Sequence, residues 1–288
     1  MRYVMINGSP HRGNTWKLAE IVRKELFELD ADCEIAEIHL AELEIPFCTG
    51  CSSCFRLGNE KCPHYSKMKV IIEAMEQADG IIFVSSTFNI RPTALLKNMF
   101  DHLCFYMHRP HFFTKKALIL TTTGGVGGGK AAREIAATLY GIGFNRCFLF
   151  SQASYSWNNY KVTEKAGRQL RNKTNRFYRD VKSKRLHAPA CMLLIPYNLF
   201  RGMSLAYTKE AEYPTADGEY WTQKSRIKGV YDSAVSVPFY KKPIGFFFII
   251  SANIWERRFW SHTEKHRIDQ QCFEWYDLQT DSGILFPG

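Results

Sequence analysis

The chain of 288 residues has no apolar run long enough to cross a bilayer. The two longest, Pro189 to Phe200 and Pro243 to Trp255, fall short of a span and each carries a leading or internal Pro. Met1-Arg2 leads straight into a short strand instead of a charged, apolar and small-residue leader, so a cytoplasmic protein is expected. The Lys of a triphosphate-binding loop and the spaced glycines of a dinucleotide fingerprint are both missing from the first loop. No zinc finger, RNP pattern or helix-turn-helix is present, so nucleic acid is not an expected partner. No Ser-His-Asp or paired-carboxylate arrangement is found, and no acid-base catalytic residue is assigned. The nine cysteines are an odd number, and four of them crowd into residues 48–62, which argues against a secreted disulfide framework and for metal or redox chemistry.

What is present begins at the first residues. The run Tyr3-Val4-Met5-Ile6 empties into Asn7-Gly8-Ser9-Pro10-His11-Arg12-Gly13-Asn14-Thr15, and then Trp16, Leu18, Ala19, Ile21, Val22, Leu26 and Leu29 recur at helical spacing. This is a strand, a loop and a helix. Small residues let backbone N–H groups approach an anion, Ser9 and Thr15 add hydroxyls, Arg12 adds a cation, and a helix start at Asn14 or Thr15 points its positive end at the loop. A single phosphomonoester suits such a loop better than a pyrophosphate.

Cys33 to Leu40 alternates as a short strand, and an irregular piece from Phe47 to Met68 holds the cysteine group. Val70 to Gln77 is predicted helical, and Gly80 to Ser85 reads as a strand buried on both faces. A helix is predicted from Pro92 through Leu103, with Pro tolerated in its first turn. Ala117 to Leu120 forms the next strand and ends in Thr121-Thr122-Thr123 and a glycine-rich loop; a helix to about Tyr140 and a strand from Arg146 to Phe150 follow. Five strands alternating with helices predict an α/β fold, a doubly wound five-stranded parallel sheet with right-handed crossovers. Ligands of such sheets lie beyond the carboxyl ends of the strands where strand order reverses. Three of the predicted strands end there in loops rich in Ser, Thr, Asn or Gly.

The combination of Gly8 to Thr15, the segment Gly80 to Ser86 with Thr87-Phe88-Asn89-Ile90-Arg91-Pro92-Thr93-Ala94 and Lys97, and the glycine-rich loop after Thr123 resembles the flavodoxin-like NAD(P)H-dependent FMN reductases. Within that group the cysteine loop is similar to the iron-sulfur flavoproteins. The resemblance covers about residues 1–152, the expected flavodoxin-like FMN-binding domain, with 153–288 as a basic, aromatic-rich and mostly helical extension serving as lid or oligomer interface. It implies that Ser9, Arg12, Asn14 and Thr15 hold the FMN phosphate. It also implies that Ser86, Thr87, Phe88, Asn89 and Ile90 contact the ribityl chain and one flavin edge, and that Thr123, Gly124, Gly125 and Gly127 meet the pyrimidine end. The second loop departs from the usual Pro-Val-Tyr-Trp-Gly wording, with Ser86 at the Pro position, Phe88 at the Tyr, Asn89 at the Trp and Ile90 at the Gly.

The cysteines are spaced Cys48-x2-Cys51-x2-Cys54-x7-Cys62, and Pro63 follows. Three readings stand open: a [4Fe-4S] cluster, as in the iron-sulfur flavoproteins that the loop resembles; a zinc site; and a metal-free loop of thiols. Cys33, Cys104, Cys147, Cys191 and Cys272 read as small core residues, and His108, His111, His262 and His266 have no metal-ligand company.

The charge is uneven: of the net +10, +2 falls in residues 1–150 and +8 beyond. Tyr160 to Leu186 reads as a basic helix with a sparse apolar stripe of Val162, Ala166, Leu170, Phe177 and Val181, and residues 189–206 as a second helix interrupted by Pro196. Aromatic residues with turn signals follow at Tyr213-Pro214, Asp217-Gly218, Tyr220, Trp221, Tyr231, Phe239 and Tyr240. The run Ile244 to Trp255, flanked by Lys241, Lys242, Arg257 and Arg258, is expected to cover the flavin edge or a dimer interface in preference to lying on a membrane surface. The resemblance therefore implies an FMN-dependent NAD(P)H oxidoreductase that passes electrons to a small-molecule or protein acceptor, by way of an iron-sulfur cluster if the cysteine loop holds one, in a homo-oligomer. The alternative is a flavodoxin-like electron-transfer or redox-sensing module without turnover of its own.

Overall fold

The structure, a computed structural model, describes residues 1–156, 160–205, 207–208, 214–223, 226 and 229–259. Tyr213, His262, His266 and Cys272 lie outside the described residues. Five parallel strands, β1 (Arg2–Asn7), β2 (Glu34–His39), β3 (Gly80–Phe88), β5 (Lys116–Thr123) and β6 (Arg146–Ala153), pair in the order β2-β1-β3-β5-β6. A sixth, two-residue strand β4 (Arg91–Pro92) pairs antiparallel with the end of β3. The order reverses between β1 and β3, as in flavodoxin-like sheets.

Alternate residues of each central strand face opposite layers. Val4, Ile6, Ile81, Phe83, Ala117 and Ile119 join a core with the helices α4 (Tyr65–Gln77), α5 (Ala94–His102) and α7 (Gly128–Gly141). Tyr3, Met5, Ile82, Val84, Leu118 and Leu120 join the other, with α1 (Asn14–Leu29) and α8 (Glu164–Lys182). Each buried Val, Leu, Ile, Phe or Met side chain among them contributes about 1.5–3 kcal/mol relative to exposure. Because both faces are covered, the strands need continuous apolar runs, and polar residues collect where the strands end. Leu170, Phe177, Tyr178 and Val181 of α8 belong to the second core, so part of the layer on this face, beside α1, comes from beyond residue 152.

Several expected element limits shift. Residues 47–68 are not irregular throughout: they contain α3 (Ser53–Arg56), a 3-10 turn at Asn59–Lys61 and the start of α4, which begins at Tyr65 instead of Val70. Pro92 lies in β4 and not in the first turn of a helix; α5 starts at Ala94, capped by Thr93, whose Oγ1 accepts from Leu96 N. The basic helix is shorter than expected, running from Glu164 to Lys182 behind a Thr163 cap. Pro196 does not break α9 (Cys191–Ser204); it sits inside a continuous helix whose Tyr197 and Leu194 are buried. The other α-helices among the described residues are the short α2 (Leu40–Leu43), α6 (Phe105–His108) and α10 (Ala216–Trp221), and α11 (Lys242–Phe259). The apolar run after Pro243 is thus helical, and α11 packs along α9, where an added Cβ on Gly202 would come within 2.6 Å of Ala252 Cβ. Among the described residues no helix is long and apolar enough to cross a membrane.

Lys116 fastens α8 to the sheet. It is 2% exposed, donates from Nζ to the Asp180 carbonyl and lies 3.6 Å from the Asp180 carboxylate, which is also 2.8 Å from His187 Nε2. Removing one member of a buried pair leaves the other charge uncompensated. Lys116→Ala is expected to lower unfolding stability by about 3 kcal/mol, read as a lower denaturant midpoint with an unchanged slope; an unaltered midpoint would contradict the pairing.

Candidate functional site

Three loops leave the carboxyl ends of β1, β3 and β5 and meet through side-chain hydroxyls. Ser9 Oγ lies 3.0 Å from Ser86 Oγ and accepts from Ser86 N at 2.9 Å. Thr15 Oγ1 is 3.1 Å from Ser86 Oγ and also bonds Thr122 Oγ1. Gly8 N donates to Val84 O at 2.8 Å, and Thr93 Oγ1 donates to the Gly8 carbonyl, so the first loop is held by the second at backbone level too. Gly13 stands at the start of α1 with no side-chain cap, which leaves that helix end to whatever anion or water approaches it.

Arg12 and Asn14 are placed differently from the two hydroxyls. The Arg12 guanidinium is 2.9 Å from His39 Nε2, 3.8 Å from Glu37 and 5.5 Å above the Trp16 ring. Asn14 Nδ2 donates to Ser156 O at 3.2 Å, tying the loop to the segment after β6. His39, at the end of β2, lies 3.1 Å from Asn7 Nδ2; burial, and then the Arg12 charge, hold it below the ordinary histidine range and keep its imidazole neutral near pH 7.

In the second loop, Thr87 and Phe88 pair with Pro92 and Arg91, and Asn89 and Ile90 make the turn with φ of 48° and 65°. Two successive positive φ values give the tightest hairpin connection, at a cost for a β-branched residue. This is the physical content of Ile90 at the usual Gly position. Phe88 and Ile90 consequently project outward and are half-exposed. In the third loop, Ser154 N donates to Thr123 O at 2.8 Å and Tyr155 N to Gly124 O at 3.0 Å. A Cβ on Gly124 would meet nothing within 4 Å, so this backbone faces open space.

All thirteen residues assigned to FMN by resemblance therefore lie on or beside one edge of the sheet. The reading of the sequence missed Thr122, whose hydroxyl completes the network, His39, which engages Arg12 from the neighbouring strand, and Asn7, which contacts His39. The Thr121-Thr122-Thr123 run was the available signal for the first; nothing in the β2 pattern marked the second. The edge fits a phosphorylated, planar ligand. It offers clustered hydroxyls, an uncapped helix start, exposed Phe88 and Tyr155, and a buried Thr87 Oγ1 with no hydrogen-bond partner among the described residues.

The cysteine loop forms a second centre. Cys48, Cys51, Cys54 and Cys62 line one cavity, together with Cys104, His64, His102 and Asp101. Cys104 is thus no plain core residue: its thiol is hydrogen-bonded to Cys54, which pushes Cys54 up and makes Cys104 the first of the pair to ionise. Burial pushes Cys62 up. Four cysteines lining one cavity are a donor set whose chemistry fits an iron-sulfur cubane. The loop is fixed from outside by Arg109, which donates to the Cys54 carbonyl and is 3.2 Å from Asp217 of α10, so the carboxyl-terminal half braces this centre. Among the described residues Cys33 is buried and Cys147 and Cys191 are half-buried; His108 pairs with Asp217 at 2.8 Å and His111 with Glu76 at 3.0 Å.

A family model described as NADPH-dependent FMN reductase matches residues 1–161. An iron-sulfur flavoprotein of Clostridioides difficile (strain 630) is 27% identical over 187 residues, 64% of this chain and 81% of that protein. An iron-sulfur flavoprotein of Archaeoglobus fulgidus is 30% identical over 128 residues, 44% of this chain and 56% of the relative, so the chain spans only about half of that protein. Among solved structures, the apo form of an NADH:FMN oxidoreductase is similar with 26% identity and a TM-score of 0.46, over 65% of this chain and 91% of the other.

The second and third loops touch where Gly127, at φ +90°, faces Ile90: a Cβ there would lie 2.8 Å from Ile90 Cγ2 and 3.1 Å from Ile90 Cα. Gly127→Ala is expected to lower stability by about 1–2 kcal/mol, and Ile90→Gly, which removes the opposing side chain, to recover part of the loss in the double variant. Thermal or denaturant unfolding of the four proteins measures this coupling; strict additivity would contradict the contact.

Proposed function

Because the chain belongs to the NADPH-dependent FMN reductase family, we propose that the edge formed by Gly8–Thr15, Ser86–Ile90 and Thr123–Gly127 holds FMN in an NAD(P)H-dependent flavin oxidoreductase. The observation that supports this reading is the hydroxyl network of Ser9, Thr15, Ser86 and Thr122, which joins three loops at the topological switch point. FMN held there would supply the redox chemistry, hydride acceptance from a nicotinamide and electron donation to an acceptor.

The chain's own residues bind and orient. Ser9 and Thr15 hydroxyls and the start of α1 receive the phosphate, with Arg12 and Asn14 at its border. The carbonyls and amides of Thr123, Gly124, Gly125 and Gly127 would hold the pyrimidine end, and Phe88, in place of the usual Tyr, would pack on the ring. Thr87 Oγ1, buried and unpaired among the described residues, finds its partner on the ligand. The exposed apolar rim of Phe88, Ile90, Val126 and Tyr155 supports a homo-oligomer in which a second copy covers the open flavin face. Cys48, Cys51, Cys54 and Cys62 would hold a [4Fe-4S] cluster as a one-electron outlet. The acceptor class is a quinone, nitroaromatic, metal complex or redox protein, the last drawn by the basic second half.

Flavin titrations test the placement. FMN should bind stoichiometrically and more tightly than riboflavin. Ser9→Ala and Arg12→Gln should each weaken FMN about tenfold, the worth of a hydrogen bond to a charged group, and leave riboflavin affinity unchanged. Equal losses for both flavins would move the phosphate elsewhere.

A further inference from the structure

Between Pro243 and Ile254, α11 is apolar on nearly every side, a composition that belongs to a buried helix. Only one side is covered. Gly245 faces Val230 and Asn198, and Ala252 faces Gly202 of α9. Away from these contacts Phe246, Phe247, Ile250 and Ile254 recur at intervals of three and four residues and so form one stripe. The 3-10 turn Phe239–Lys241, which leads into the helix, adds Phe239 and Tyr240. All six side chains are 49–83% exposed. α9 carries a stripe of its own at the same spacing, Met192, Ile195, Leu199 and Met203, with Met192 and Met203 exposed and the other two half-buried. Apolar surface gathered in this way marks a contact with something apolar.

The charge around it has one sign. Residues 181–209, which include all of α9, contain no Asp or Glu, and neither do residues 233–255, which include most of α11. The two stretches carry seven Lys and Arg between them. Lys182, Lys184, Arg185 and Lys242 are exposed. Lys241 Nζ donates to Pro189 O at 2.8 Å, which ties the start of α11 to the basic link between α8 and α9. An acid-free surface of aromatic and basic residues complements one that is both apolar and anionic. A bilayer with acidic headgroups has both properties: phenyl rings enter beneath the headgroups, and lysines reach the phosphates on their long stems. A second copy of the chain lacks the second property. In sequence the run is bounded by Lys241 and Lys242 before it and by Arg257 and Arg258 after it, so a copy laid along the same face in either direction sets cation against cation.

We propose that the outer face of α9 and α11 docks the protein on the surface of a membrane that contains anionic lipid. α11 lies in the plane of the interface, with Phe246, Phe247, Ile250 and Ile254 among the upper acyl chains and Lys242 among the headgroups. Since no helix among the described residues is long and apolar enough to cross, the attachment is peripheral. The apolar run shows no helical period of its own, which is why its sequence favoured a flavin cover or a dimer interface; α9, by covering one side, makes the helix two-faced. The docking face rests on neither the flavin nor the cluster reading.

Flotation of the full-length protein with unilamellar vesicles at low ionic strength tests the face. Vesicles of phosphatidylcholine and phosphatidylglycerol in equal parts should carry the protein, and phosphatidylcholine alone should bind it at least about tenfold more weakly. The double variant Phe246→Ser, Phe247→Ser and the single variant Lys242→Glu should each weaken binding to the mixed vesicles by about tenfold or more. Phe27→Ser, on α1, and Lys69→Glu, on α4, remove an exposed phenyl ring and an exposed cation elsewhere and should change nothing. Far-UV circular dichroism checks the fold of each variant; should the double variant unfold, Lys242→Glu decides. No flotation with either vesicle, or flotation indifferent to both the phenylalanines and Lys242, would overturn the proposal. So would a lipid-free dimer, seen by analytical ultracentrifugation, that the phenylalanine substitutions dissociate, because a second copy then occupies the face.

Discussion

Ser86 sits where everything else in the amino-terminal half converges. Its hydroxyl is within 3.1 Å of both Ser9 and Thr15, and its backbone N–H is taken by Ser9. These bonds are available only because β1, β3 and β5 are parallel and in register, so that their carboxyl ends fall at one level. A sheet buried on both faces leaves its polar chemistry nowhere else to go. The hydroxyl cluster is thus a consequence of the fold, and its mutually bonded oxygens make the edge suited to an oxygen-rich ligand.

The carboxyl-terminal half serves this arrangement in two ways. α8 supplies Leu170, Phe177 and Val181 to the second core, with Lys116 and Asp180 as the polar fastening. Further on, Asp217 of α10 engages Arg109, which in turn holds the Cys54 carbonyl. The extension is therefore structural support for both centres. The run Ile244 to Trp255, expected over the flavin edge or at a dimer interface, lies in α11, which packs along α9.

The strands and major helices were legible because their signals are local: continuous apolar runs for β1, β3 and β5, and a clean helical period for α1. The first loop was legible for the same reason, since small residues, hydroxyls and a helix start follow one another directly. What escaped reading depends on contacts distant in sequence. Thr122 looks like any strand-end threonine until it meets Thr15; His39 reads as the tail of an alternating strand until Arg12 folds over it. Pro92 satisfies the rule for a first helical turn equally well as the end of a hairpin, and only the left-handed Asn89 and Ile90 decide between them. His64 and His102 carry no spacing signal at all.

The central claim is that this edge holds a working flavin, and the most direct test is the visible spectrum of the FMN-loaded, full-length protein under anaerobic conditions before and after NADPH or NADH is added. The account predicts that the flavin bands bleach with one of the two nicotinamides and return on admission of an electron acceptor. Bound flavin whose bands persist with both would contradict an NAD(P)H-dependent oxidoreductase and leave a carrier that others must reduce.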